Sequence, residues 1–352
     1  MDKRIGILIR SLKPGGAEKQ SALLASVLAQ HYKVHLFIQY NEISHSNQLL
    51  ITHPNIKLCL LSGNVITKVK KLRHFIKEDS ITHLFAYLSS DNLIASLGAL
   101  QLKNCVVYGG IRSSELPRHK FIVLRTLHRL MQKGTIFNNY KGMNSFIKQG
   151  FYTHKSLVIP NGIEINKATI EEKENGIINI LTVGRFVEAK DFKTALQAID
   201  RVRKSTKKTI KFYIVGFGSL ENKIRDLIHD LELNDCVEVI INPKNVNDYY
   251  QLADIYLCTS TFEGLSNSIM EAINFRLPTV ATNVGDNNQL VVHNSNGFLT
   301  APYDSVEISN ALINLIDNQE LRVQFGKNGF SHLDKHYSLE QFAKRYMKLI
   351  EN

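Results

Sequence analysis

"IINILTVGRFVEAKDFKTALQAIDRVRK", residues 177–204, is the stretch whose reading decides how this chain folds. Its first eight residues form a nearly continuous apolar run, the pattern of a strand covered on both faces. After a short loop, the apolar residues of "KTALQAIDRVRK" (193–204) recur at helical spacing, and a second apolar run, "IKFYIVG" (210–216), follows. Strand, helix and strand in that order make a βαβ unit, and its two strands must run parallel.

The same alternation extends in both directions. Toward the C-terminus come "SLENKIRDLIHDLEL" (219–233), "CVEVII" (236–241), "VNDYYQLA" (246–253), "DIYLCT" (254–259), a loop and helix at 261–272, and "PTVAT" (278–282). Three helical patterns, 304–317, 320–333 and 339–351, close the chain. Toward the N-terminus, "RIGILIR" (4–10), "KVHLFIQY" (33–40), "NIKLCLL" (55–61), "THLFAYL" (82–88) and "NCVVYGG" (104–110) read as buried strands, with helical patterns such as 66–78 and 91–102 between them. "LVIPNGI" (157–163) ends a strand in a Pro-Asn-Gly turn, and the polar "NKATIEEKENG" that follows marks a domain boundary. The expectation is an α/β chain of two doubly wound, Rossmann-like domains facing across a cleft: an N-terminal domain at 1–165, a C-terminal domain at 166–335, and a last helix at 336–352 packing back toward the N-terminal domain. Ligands then bind at the loops following the carboxyl ends of the strands.

A length of 352 residues suits two domains, and a hydrophobic share of 44% is that of a packed globular protein. No run of about 18 apolar residues is present to span a bilayer, and the N-terminus does not read as a signal peptide, so a cytoplasmic location is expected. The four cysteines, scattered at 59, 105, 236 and 258 without a C-x-x-C pair, read as reduced core thiols. The net charge of +11 is uneven: residues 1–165 hold 22 Lys and Arg against 8 Asp and Glu, or +14, and the remainder carries −3. Such asymmetry points the first half toward something anionic, a membrane surface, a lipid phosphate or a nucleic acid.

Chemistry-bearing residues cluster at the strand ends. The Gly-rich turn "KPGGAE" (13–18) lets the amides of Gly15 and Gly16 meet a phosphate beside a helix N-terminus, although a plain tight turn explains it equally well. In the quoted stretch Arg185 and Lys190 follow a strand and could clamp a diphosphate, or be two solvated cations. "IVGFGSLE" (214–221) supplies Gly216 and Gly218, with Ser219 placed to start a helix. In "TFEGLSNSIMEA" (261–272) two carboxylates, Glu263 in a loop and Glu271 one turn into a helix, suit the hydroxyls of two sugar rings, with amides of Gly264 and Leu265 available to an anion. Ser268 and Glu271 also fit a capping box, in which the carboxylate would serve its own helix.

Taken together, Gly15-Gly16, "PNG" at 160–162, Gly184-Arg185 with Lys190, Gly216-x-Gly218, "ADIYLCTS", Glu263 with Glu271 and "GFL" at 297–299 resemble the family 4 retaining glycosyltransferases of the GT-B fold, over nearly the whole chain. The resemblance implies transfer of a hexosyl or N-acetylhexosaminyl group, with retention, from a nucleotide sugar, a UDP-sugar by preference, to a hydroxyl of a glycan acceptor. Arg185 and Lys190 are implied to bind the donor diphosphate, Glu263 the donor sugar, Glu271 the ribose, Gly15 and Gly16 the phosphate and reacting sugar, and Gly264, Leu265 and Ser266 the phosphates through their amides. No cofactor and no metal are implied, in keeping with the lack of a D-x-D. A histidine common in relatives has no counterpart at 108–121, where Arg112, Ser113, Glu115 or His119 could replace it, Arg112 first. The acceptor implied is a glycan or an undecaprenyl-diphosphate-linked acceptor of bacterial surface polysaccharide (O-antigen or capsule) synthesis, without nucleic acid as a partner. "RHKFIVLRTLHRLMQK" (118–133) could lie on anionic lipid as a basic amphipathic helix, or present a solvated face. Two other readings stand beside this one, a nucleotide-sugar 2-epimerase of the same architecture and a non-catalytic basic binding module.

Overall fold

The computed structural model describes residues 3–112, 116–167 and 176–352. In chain order the first elements are β1 (Arg4–Ile9), α1 (Gly16–Ala29), β2 (Lys33–Ile38), α2 (His45–Leu50), β3 (Ile56–Leu60), α3 (Val65–Glu78), β4 (His83–Ala86), α4 (Ser89–Gly98), β5 (Val106–Ile111), α5 (Arg118–Leu130), β6 (Gly134–Phe137), α6 (Tyr140–Lys148) and β7 (Ser156–Val158). They continue with β8 (Ile177–Arg185), α7 (Phe192–Ser205), β9 (Thr209–Phe217), α8 (Glu221–Asp230), β10 (Val237–Ile241), α9 (Asn247–Leu252), β11 (Ile255–Cys258), α10 (Asn267–Asn274), β12 (Thr279–Thr282), α11 (Asn287–Leu290), β13 (Gly297–Thr300), α12 (Ser305–Asp317), α13 (Gln319–Tyr337) and α14 (Leu339–Glu351). Packing divides them into one unit, Met1–Gly162 with Tyr337–Asn352, and a second, Ile163–His336.

Each unit is built on one parallel sheet, in the order β3-β2-β1-β4-β5-β6-β7 for the first and β10-β9-β8-β11-β12-β13 for the second. This is the doubly wound, Rossmann-like architecture expected from the alternating pattern. Both sheets start at an inner strand and grow outward in both directions, so each has a point where the winding reverses, between β1 and β4 and between β8 and β11. Loops diverge there and leave room for a ligand at the carboxyl ends. Central strands are apolar on both faces because helices cover both: in the second unit Ile180, Phe212 and Leu257 are buried on one face and Leu181, Val215 and Tyr256 on the other.

The edges depart from the expectation of buried strands. β3 has only β2 as a neighbour, and Leu58 and Leu60 stay exposed on it. An edge strand stays open on one side unless a helix or loop covers it. β6, "GTIF", is a four-residue fully buried strand that the sequence pattern did not separate from the helix before it. α14 sets Phe342, Tyr346 and Ile350 into the core of the first unit, packed on α1. All four cysteines are free thiols, Cys105 being half-buried and the others buried. Among the described residues no helix is long and apolar enough to cross a membrane.

Candidate active site

The second unit collects its charged residues at the winding reversal. β8 and β9 stay in register to their last residues, with Gly184 beside Gly216 and Arg185 beside Phe217. Paired residues of a parallel ladder share a face, so Arg185 leaves the sheet next to an aromatic ring, and both side chains are exposed. The backbone approach here requires glycine: a Cβ on Gly216 would lie 1.9 Å from the Gly184 carbonyl oxygen, and one on Gly218 2.5 Å from that of Phe186.

Past Arg185 the chain makes a single 3-10 turn, Glu188–Lys190, and enters α7 through Asp191, which adopts φ 46° and caps the helix by accepting from the Thr194 amide at 3.2 Å. Asparagine and aspartate tolerate that left-handed geometry better than most residues. The loop is tied to the end of β11: the Thr259 hydroxyl lies 3.0 Å from the carbonyl oxygens of both Lys190 and Asp191, and the Thr261 amide donates to the Ala189 carbonyl at 2.9 Å. Lys190 Nζ consequently meets Glu263 Oε1 in an ion pair whose side chains are mostly buried. The Ser260 hydroxyl donates to the same oxygen at 2.9 Å, and Ser260's own carbonyl accepts from Thr282 at 2.5 Å. Behind the loop, Gly285 leaves no space for a side chain against the Glu263 carbonyl, 2.2 Å from where its Cβ would sit.

Glu271 lies on α10, whose N-cap is Ser266 and not Ser268. The capping box read from the sequence is therefore not formed; Glu271 falls too deep in the helix to reach its first amides. Its Oε2 instead accepts from the Tyr250 hydroxyl at 3.2 Å. Tyr250 is buried, stacked on Phe275 with ring centroids 5.5 Å apart, and burial followed by the neighbouring carboxylate pushes its phenol well above the ordinary range. Leu265 and Ser266 are buried. Ser219 also misses its expected place, since α8 begins at Glu221.

In the first unit, Gly15 is the N-cap of α1, and the Glu18 carboxylate folds back to within 2.2 Å of where a Gly15 Cβ would be. Arg112, directly after β5, lies over the Tyr87 ring at 4.4 Å and donates from Nη2 to the Tyr346 hydroxyl at 3.1 Å, while its Nε and Nη1 are buried without a partner. His119 is exposed in the first turn of α5. Ser113 and Glu115 fall outside the described residues. Asp91 is fully buried at the start of α4; burial pushes its carboxyl up to about 7, against hydrogen bonds from Gln39 (2.6 Å) and the Leu88 amide (2.8 Å).

Sequence reasoning thus found the residues with charged ends and missed those that hold them: Tyr250, Thr259, Ser260 and Thr282. Thr259 and Ser260 end the "ADIYLCTS" run, and a hydroxyl pair at a strand end was the available signal. Nothing local marks Tyr250 or Thr282, whose partners are distant in sequence.

Two parallel-sheet units of this order, with cations and carboxylates at the second winding reversal, define a protein of the GT-B fold. Residues 163–332, within the second unit, match the family model described as glycosyl transferases group 1. The chain is a glycosyltransferase. An uncharacterized glycosyltransferase of Haemophilus influenzae is 27% identical over 99% of this chain and 100% of its own length. The Campylobacter jejuni N-acetylgalactosamine-N,N'-diacetylbacillosaminyl-diphospho-undecaprenol 4-alpha-N-acetylgalactosaminyltransferase is 25% identical over 80% of each chain. The crystal structure of Anabaena Alr3699/HepE in complex with UDP and glucose superposes with a TM-score of 0.81 at 17% identity over 99% of both chains.

Proposed function

We propose that the protein is a retaining, metal-independent transferase that moves a hexosyl or N-acetylhexosaminyl group from a nucleotide sugar, a UDP-sugar by preference, to a hydroxyl of a lipid-linked glycan in bacterial surface polysaccharide synthesis. The observation that carries the reading is the Lys190–Glu263 pair, together with the exposed Arg185 at the end of β8, at the winding reversal of the second sheet. A guanidinium and an ammonium suit a diphosphate, one through its fork and the other as a point charge. Glu263 would accept from donor sugar hydroxyls and Glu271, steadied by Tyr250, from the ribose. The backbone of Gly216, Gly218 and Gly264 to Ser266 would line the phosphates.

In the proposed step the bond from the anomeric carbon to the phosphate oxygen breaks, and the two cations stabilise the charge left on the diphosphate. The acceptor oxygen bonds to the same face of that carbon, and its proton passes to the departing phosphate oxygen. No protein base is needed; positioning supplies the rate. A lipid-linked acceptor is supported by the Campylobacter relative, whose name specifies a diphospho-undecaprenol substrate.

Peripheral attachment to an anionic membrane is proposed for α5 of the first unit. Ile122, Val123 and Leu130 are exposed on it beside Arg118 and Lys120. Arg125 and Arg129 are partly committed elsewhere, donating to the carbonyls of Gln149 and Gly150. Incubation with UDP-, GDP- and ADP-sugars in EDTA, following nucleotide binding and slow donor hydrolysis, tests the reading. Binding of one nucleotide class, lost in Lys190→Ala and Glu271→Ala, is expected; conversion of the sugar to an epimer without an acceptor would overturn it.

A further inference from the structure

We infer that Glu263, besides meeting the donor sugar, discriminates by charge against the spent nucleoside diphosphate and so favours its release. The inference rests on the donor-site reading above and concerns the same pair of side chains. Lys190 pairs with Glu263, and a chain of contacts supports both: Thr259 bonds the Lys190 carbonyl, Ser260 donates to Oε1 of Glu263, Thr282 bonds the Ser260 carbonyl, and Gly285 backs the loop. A diphosphate that reaches Lys190 therefore comes up against the Glu263 carboxylate.

Substrate and product differ at that point. In a nucleotide sugar the terminal phosphate is a diester with one negative charge, whereas in the free nucleoside diphosphate it is a monoester that carries nearly two at neutral pH, its second ionisation falling near pH 6. The added charge is repelled by Glu263, and the screening is incomplete because only 13% of that side chain is exposed. The sugar also brings hydroxyl donors to the carboxylate, and the product does not. Oε1 is already engaged by Lys190 and Ser260, so Oε2 is the oxygen left to accept them. Both effects act in one direction, for substrate and against product.

The test uses the full chain and three variants, Glu263→Gln, Glu263→Asp and Lys190→Ala. The amide of Glu263→Gln keeps the size of the side chain and can still accept from Ser260, so the loop is retained; Glu263→Asp keeps the charge. Dissociation constants are measured by calorimetry for whichever of UDP, GDP and ADP the parent binds best, and for sugar esters of that nucleotide. The expected result is that Glu263→Gln binds the nucleoside diphosphate about fivefold tighter and the nucleotide sugar no tighter, with stronger product inhibition, while Glu263→Asp does not tighten. If Lys190→Ala loses the nucleotide but Glu263→Gln binds it no better than the parent, the discrimination is wrong and the donor site stands. If Lys190→Ala binds the nucleotide like the parent, the donor site is misplaced and the inference falls with it.

Discussion

At the scale of single residues, the charges that do the proposed work are legible in the sequence, and their supports are not. Glu271 is visible one turn into a helix, and a capping box also fits its spacing from Ser268; the start of α10 at Asn267 excludes that box. Tyr250 decides its setting. Tyr250→Phe deletes one hydroxyl from a buried ring, and the expected outcome is donor affinity lowered by about 1 kcal/mol, close to fivefold in the dissociation constant, with turnover of bound donor little changed. Calorimetric titration beside steady-state rates checks it. Titration of buried groups gives a second prediction. His128 Nε2 accepts from the Tyr152 amide at 2.8 Å, and burial, then the nearby Lys155, pushes its imidazole down to about 4. The folded state therefore binds fewer protons than the unfolded one between about pH 6.5 and 4, and this group's contribution to stability is lost as the pH falls through that window. Asp91 has the opposite sign. Its carboxyl, raised to about 7, makes the folded state hold an extra proton from about pH 4 to 7, so its contribution is lost as the pH rises. Asp91→Asn should gain stability relative to the parent on going from pH 5 to pH 8, read from urea unfolding at the two values.

At the scale of elements, period and punctuation identified most strands and helices, since an apolar run covered on both faces and a 3.6-residue repeat are local properties. β3 was read as a strand, but its exposure, which follows from its place at an edge, was not, and short elements such as β6, α6 and β13 were not separated from the pattern around them. Glycines show the same division. Gly15 and Gly216 look alike in the sequence, each following a strand, yet the obstacle to a side chain is Glu18's own flexible carboxylate in one case and the Gly184 backbone in the other. Gly15→Ala is expected to change stability by under about 0.5 kcal/mol, because Glu18 can turn away, whereas Gly216→Ala should cost about 2 kcal/mol by forcing the ends of β8 and β9 apart. Denaturant midpoints of the two variants give the comparison.

At the scale of the whole molecule, α14 is the instructive case. Its buried residues, Phe342, Tyr346 and Ile350, recur at every fourth position, so an amphipathic helix is evident from the sequence, although nothing in that spacing says which surface it covers. It lies on α1 of the first unit, where Tyr346 packs edge-on to Phe85 at 5.1 Å and receives a hydrogen bond from Arg112. Tyr346→Ala is expected to destabilise that unit by about 3–5 kcal/mol and to remove the hydrogen bond that the Arg112 guanidinium makes to Tyr346. A thermal melt showing the first unit unfolding early, with nucleotide binding by the second unit retained below that transition, checks it. By itself the sequence determined the parallel α/β class, the order of the elements and the charged residues at the strand ends, because periodicity, turn chemistry and charge are carried by neighbours along the chain. Only the tertiary structure decided that Lys190 meets Glu263, that Tyr250 serves Glu271 and that Arg112 meets Tyr346 of α14. Those pairings join residues up to 234 positions apart, and sheet order, not sequence distance, brings them together.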